Sequence, residues 1–160
     1  MKALLLVTAL PLLALAASAQ SQYTAGIHMR IMSASQKGNY CMGSQGETGT
    51  NGEKVYMLPC QAGLNQRWTI TAASGPGGAA IIGVGGYCLD VRSHSTAAGA
   101  PVQLWGCHFQ KNQRFIVGRD GTIKDVESGK CLQAEADKPG APIVLEACKG
   151  NPFEKWHIEQ

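Results

Sequence analysis

Apolar residues fall along most of this chain in short bursts, and the bursts have the character of strands. Val102-Gln-Leu-Trp105, Trp68-Thr-Ile70 and Phe115-Ile-Val117 are brief and rich in branched or aromatic side chains. Glycine-rich breaks separate such segments, at Gly75-Pro-Gly-Gly78, Gly85-Gly86 and Asp120-Gly121. Asp120-Gly121, flanked by apolar segments, predicts a tight hairpin turn. No stretch sustains apolar residues at helical spacing over three turns, so the pattern predicts an all-β chain.

One apolar run departs from this pattern. After Met1-Lys2 the chain reads ALLLVTALPLLALA without a charge, then Ala17-Ser18-Ala19 and Gln20. A basic start, an apolar stretch and small residues at an A-x-A site describe a secretory signal peptide over residues 1–19. Pro11 interrupts the run, which is short for a membrane span. Removing nineteen of the 160 residues leaves 141, expected as a single secreted, extracellular domain over 20–160 with no further transmembrane segment.

Secretion changes how the six cysteines are read, because disulfides are the default in an oxidising compartment. There is no C-x-x-C pair, which argues against a zinc ribbon or a thioredoxin-like site. The spacing repeats: Cys41 and Cys60 are 19 apart, Cys88 and Cys107 are 19 apart, and Cys131 and Cys148 are 17 apart. Eight residues beyond each second cysteine stands an aromatic, Trp68, Phe115 or Trp156. The neighbourhoods recur too, as NYCMGS, GYCLDV and GKCLQA. A period of 41 to 47 residues seen three times marks a repeat architecture, with repeats near 22–71, 72–118 and 119–160. Repetition of the pairs favours one bridge inside each repeat: Cys41–Cys60, Cys88–Cys107 and Cys131–Cys148.

On these marks the sequence resembles the ricin B-chain family of β-trefoil lectins. The closing Gln-x-Trp element of that family stands intact as Gln66-Arg67-Trp68, softened as Gln113-Arg114-Phe115 and degenerate as Glu154-Lys155-Trp156. The resemblance implies a six-stranded barrel closed by three hairpins, twelve strands in all, with the three motif aromatics in the core. It also implies one shallow sugar pocket per repeat, and the middle repeat keeps the residue types such a pocket needs. There Asp90 would accept from two sugar hydroxyls, Trp105 would stack on the sugar, Asn112 would contact a hydroxyl and Gln113 would brace Asp90. Gln103, two residues before Trp105 on the same strand face, would be a peripheral contact. The chemistry suits a pyranose, whose C–H face matches an indole ring and whose hydroxyls suit a carboxylate and amides.

The other repeats depart from the pattern. At the Asp90 offset they carry Gly43 and Gln133, and at the Trp105 offset Leu58 and Glu146. The expectation is one working pocket, for galactose or N-acetylgalactosamine-type glycans, of millimolar affinity, with oligomerisation or a partner subunit supplying avidity.

Composition narrows the remaining classes. With 44% hydrophobic residues the chain is not disordered, and a net charge of +3 gives no nucleic-acid footprint. His28, His94, His108 and His157 are scattered, so no metal or cofactor is expected, although His94 and His108 could line the pocket rim. No nucleophile elbow or P-loop is present, and Glu127 or Glu146 would have to join Asp90 for glycosidase chemistry, so no enzyme is expected. The competing reading on the same fold is a protein-interaction module, such as a protease inhibitor or a toxin-targeting subunit.

Overall fold

A computed structural model describes residues 26–35, 39–72 and 77–160. The leader expected over 1–19 and the start of the Gly75-Pro76 turn lie outside these residues. Twelve strands are formed among them, four per repeat. The first repeat holds β1 (His28–Ser33), β2 (Tyr40–Ser44), β3 (Glu53–Pro59) and β4 (Trp68–Ile70). The second holds β5 (Ile81–Ile82), β6 (Cys88–Val91), β7 (Val102–Trp105) and β8 (Phe115–Val117). The third holds β9 (Ile123–Asp125), β10 (Cys131–Ala134), β11 (Ile143–Glu146) and β12 (Trp156–Glu159). The three segments read as strands from their apolar bursts are β7, β4 and β8, and Asp120-Gly121 turns β8 into β9.

The outer strands of each repeat build the barrel wall. β1 pairs with β4 and β12, β4 with β5, and β8 with β9. The wall continues through the Ala79–Phe115 bridge and the hydrogen bond from Trp156 N to Gly121 O. The inner strands pair as hairpins β2–β3, β6–β7 and β10–β11. These hairpins meet one another around the threefold axis, through β3–β7 pairing and bridges at Pro101–Val144 and Tyr56–Pro142. This is the β-trefoil arrangement.

The core repeats with the sequence. One residue past each first cysteine lie Met42, Leu89 and Leu132; three before each second cysteine lie Met57, Leu104 and Leu145; all six are fully buried. Trp68, Phe115 and Trp156 complete a third layer at 0–5% exposure. Burying such a side chain contributes about 1.5–3 kcal/mol, and no single repeat encloses its own layer members. The indole N–H groups, which need a buried partner, donate to Met42 O and Leu132 O at 2.9 Å. Phe115 has no such donor, which is how the softened motif is tolerated.

Three disulfides staple the hairpins, Cys41–Cys60, Cys88–Cys107 and Cys131–Cys148, with Cα–Cα distances of 5.0–5.2 Å. Each joins the start of one hairpin strand to the segment just beyond the other. The pairing is the one that repetition of the spacings favoured.

Candidate functional site

The middle hairpin carries the chemistry because its register aligns polar side chains on one face. Asp90 on β6 stands directly opposite Gln103 on β7, and Gln103 stands opposite Lys54 on β3 of the first repeat. Cross-strand neighbours share a face, so the three form a row over adjacent strands. Trp105 lies two residues along β7 from Gln103 and returns to the same side.

Asp90 is 3% exposed and is held by three side-chain amides. Gln103 Nε2 donates to its Oδ1 at 3.0 Å, while Asn112 Nδ2 and Gln113 Nε2 donate to its Oδ2 at 2.8 and 2.9 Å. His108 Nε2 stands 3.5 Å from the same oxygen. Asn112 and Gln113 come from a 3-10 turn, Lys111–Gln113, placed just before β8. The turn is itself fixed by Gln113, whose Oε1 accepts from His108 N and Phe109 N at 2.9 and 3.0 Å and whose Nε2 also donates to Gly106 O. Asn112 Nδ2 also reaches Val91 O, and its Oδ1 is buried with no protein partner.

These groups open into a cleft of about 600 Å³ whose walls include Trp105, Asp90, Gln103, Asn112, His94 and His108. Trp105 is 40% exposed, far from the 0–5% of the core aromatics, so it is available to a ligand. The His94 and His108 rings stack at 6.0 Å, and His94 Nδ1 lies 3.0 Å from Glu127 Oε2. Lys54 and Arg92 complete the rim as exposed cations, with Gly52 beside the Trp105 ring. One aromatic wall, a fixed carboxylate and convergent amides have the chemistry to orient a small polyhydroxylated molecule.

Two family models describe the chain, a ricin-type beta-trefoil lectin domain over residues 78–160 and a ricin-type beta-trefoil lectin domain-like model over 20–105. The chain belongs to the ricin-type β-trefoil lectin family. Nigrin b of Sambucus nigra is 41% identical over 80 residues, which are 49% of this chain and 14% of that protein. Beta-galactoside-specific lectin 2 of Viscum album is 35% identical over 82 residues, again 49% of this chain and 14% of that protein. The matched stretch therefore spans about one-seventh of these curated relatives. Among solved structures, the designed threefold-symmetric protein ThreeFoil superposes with a TM-score of 0.75 at 21% identity, over 83% of this chain and 98% of that one.

Within this lectin fold the three repeats treat the pocket position differently. At Gly43, an added Cβ would lie 2.7 Å from Leu58 Cδ1 and 3.0 Å from Gln66 Cγ. Leu58, which replaces the aromatic platform, thus fills the space where a carboxylate would stand. In the third repeat Gln133 Oε1 accepts from Asn151 Nδ2 at 2.9 Å, and Glu154 turns its carboxylate onto the backbone amides of Lys149 and Gly150. At the offsets of Asp90 and Trp105, neither repeat carries a carboxylate together with an aromatic.

Asp90, Gln103, Trp105 and Asn112 line one cleft, while Gln113 lies wholly buried behind Asp90 and braces it. Gln103, expected at the periphery, is 9% exposed and braces Asp90, because antiparallel register sets it opposite that residue. Asn112, expected to face a hydroxyl, spends its donor on Asp90 and Val91 O. Sequence reading missed Lys54, Gly52 and Arg92. The first two reach the cleft from another repeat through β3–β7 pairing, which no local motif announces. Among the described residues no cluster of three or more His, Cys, Asp or Glu side chains is disposed to hold a metal, and no helix is long and apolar enough to cross a membrane.

Proposed function

We propose that the chain is a secreted lectin whose middle repeat binds a galactose or N-acetylgalactosamine-type sugar. The observation that carries this reading is Asp90, fixed by three amides beside the half-exposed Trp105. A carboxylate has about four acceptor positions, and three are filled here, leaving one at Oδ1 for a sugar hydroxyl. A second opens when Gln103 swings its amide aside. The C–H face of the pyranose lies on Trp105, and Asn112 Oδ1 is the nearest unfilled acceptor deeper in the site. The galactose preference draws on the Viscum album relative, which is a beta-galactoside-specific lectin. Three disulfides and the leader-like residues 1–19 support an extracellular location.

Titration calorimetry with methyl galactoside tests the proposal, with Asp90→Asn and Trp105→Ala as variants. The wild type binds with a millimolar Kd, about −4 kcal/mol, and each variant loses tenfold or more. Asp90→Asn keeps the shape and one acceptor, so its folding is a control for the loss. Binding that survives both substitutions, or protease inhibition with no sugar binding, overturns the reading.

A further inference from the structure

Three non-glycine residues have left-handed backbone among the described residues, Ser93 (φ 58°), His94 (φ 54°) and Phe109 (φ 57°). Ser93 and His94 line the middle-repeat cleft, and Phe109 directly follows His108, which lines it too. A bulky residue at such a φ is a genuine outlier, and strain of this kind collects where function requires it. Phe109 is the informative case because the repeats supply an internal comparison. The position lies two residues past the second cysteine, where the third repeat has Gly150, also left-handed at φ 75°. The backbone there is clamped alike in both: Gln113 accepts from the amides of His108 and Phe109, and Glu154 from those of Lys149 and Gly150.

The third repeat thus uses the residue that this conformation favours, while the middle repeat holds a phenylalanine in it. Core packing does not explain the choice, because Phe109 is 51% exposed. Its ring lines a second cleft, of about 810 Å³, together with His94, Gln110, Lys111, Arg114 and Glu127. His94 lines both clefts, so the two adjoin across that one side chain. The second cleft repeats the composition of the first, with an aromatic ring, amide and charged hydrogen-bonding groups, and a carboxylate in Glu127.

We infer that Phe109 is the platform of a second sugar subsite, and that the chain recognises an oligosaccharide across both clefts. This rests on sugar binding at Asp90 and extends it to the next unit of the glycan. A saccharide seated on Trp105 continues over His94, and its neighbouring unit lays its C–H face on Phe109 with hydroxyls toward Gln110 and Glu127. The left-handed backbone at Phe109 is what turns the ring outward to meet it.

Calorimetry with methyl galactoside and a panel of galactosyl disaccharides of differing linkage tests this in wild type, Phe109→Gly and Asp90→Asn. Wild type binds at least one disaccharide about tenfold more tightly than the monosaccharide. In Phe109→Gly that ratio falls toward one, while the melting temperature holds or rises because glycine suits the conformation. If no disaccharide exceeds the monosaccharide, or the advantage survives Phe109→Gly, the second subsite is refuted and the Asp90 site stands. If wild type binds neither class, or Asp90→Asn binds like wild type, the sugar-binding reading falls and takes the subsite with it.

Discussion

Gln113 makes four hydrogen bonds with one amide group, two donated and two accepted, while wholly buried. It ties Oδ2 of the Asp90 carboxylate to the backbone that precedes β8, so the carboxylate inherits the rigidity of the barrel. Replacing it with Leu leaves buried partners unpaired, which costs about 1–3 kcal/mol for each group stranded. Gln113→Leu is therefore expected to lower unfolding stability by about 2–4 kcal/mol in urea and to remove sugar binding together with it. A second residue-scale prediction concerns Asp120, whose carboxyl is lowered to about 2, first by the Thr122 hydroxyl and amide and then by Lys155. Because the folded value lies below the ordinary 3.8, its contribution to stability is present above that pH and is lost as the pH falls toward 2. Thr122→Val removes the hydroxyl bond of 2.7 Å, and NMR titration of the Asp120 carboxyl should show its midpoint moving up toward the ordinary range. An unmoved midpoint would assign the shift elsewhere.

At the scale of elements, the hairpins share a backbone plan and differ in what fills the space between their strands. Gly43 on β2 stands opposite Tyr56 on β3, and the Leu58 side chain two residues along β3 leans over Gly43 into the space where a Cβ would stand. Gly43→Ala is thus an overpacking change, expected to cost about 1–3 kcal/mol. In a Leu58→Ala background the same substitution has room, so a double-mutant cycle should give a coupling above about 0.5 kcal/mol. Additive effects would mean that Leu58 does not close this pocket. Much of this plan was legible in the chain: β4, β7 and β8 stand where apolar bursts met glycine breaks, and the cysteine ruler aligned Asp90 with Gly43 and Gln133. The bracing of Asp90 by Gln103 depends on register, which a single strand does not reveal. Lys54 was invisible because it reaches the cleft by pairing between repeats. Phe109 gave no signal because nothing in the sequence announces a left-handed phenylalanine.

For the whole molecule, the threefold plan governs stability while one repeat supplies the proposed site. Each disulfide closes a loop of fewer than 20 residues, worth about 3 kcal/mol in the chain-entropy model, against a typical total of about 5–15 kcal/mol. Reduction with dithiothreitol should therefore lower the melting temperature sharply, by tens of degrees, and an unchanged melting curve would show that core burial alone suffices. The site obeys no such symmetry. With the first pocket filled by Leu58 and the third lacking a carboxylate and platform together, calorimetry should give one sugar per chain. A stoichiometry near three would reopen both pockets. A single site of the proposed millimolar affinity would hold a glycan only briefly, so firm attachment to a glycan-coated surface would need several copies presented together. Immobilising the protein at rising density on a sensor and passing a galactosylated polymer over it should convert millimolar into micromolar apparent affinity. Soluble methyl galactoside should keep its millimolar Kd at every density, which separates avidity from any change in the site itself.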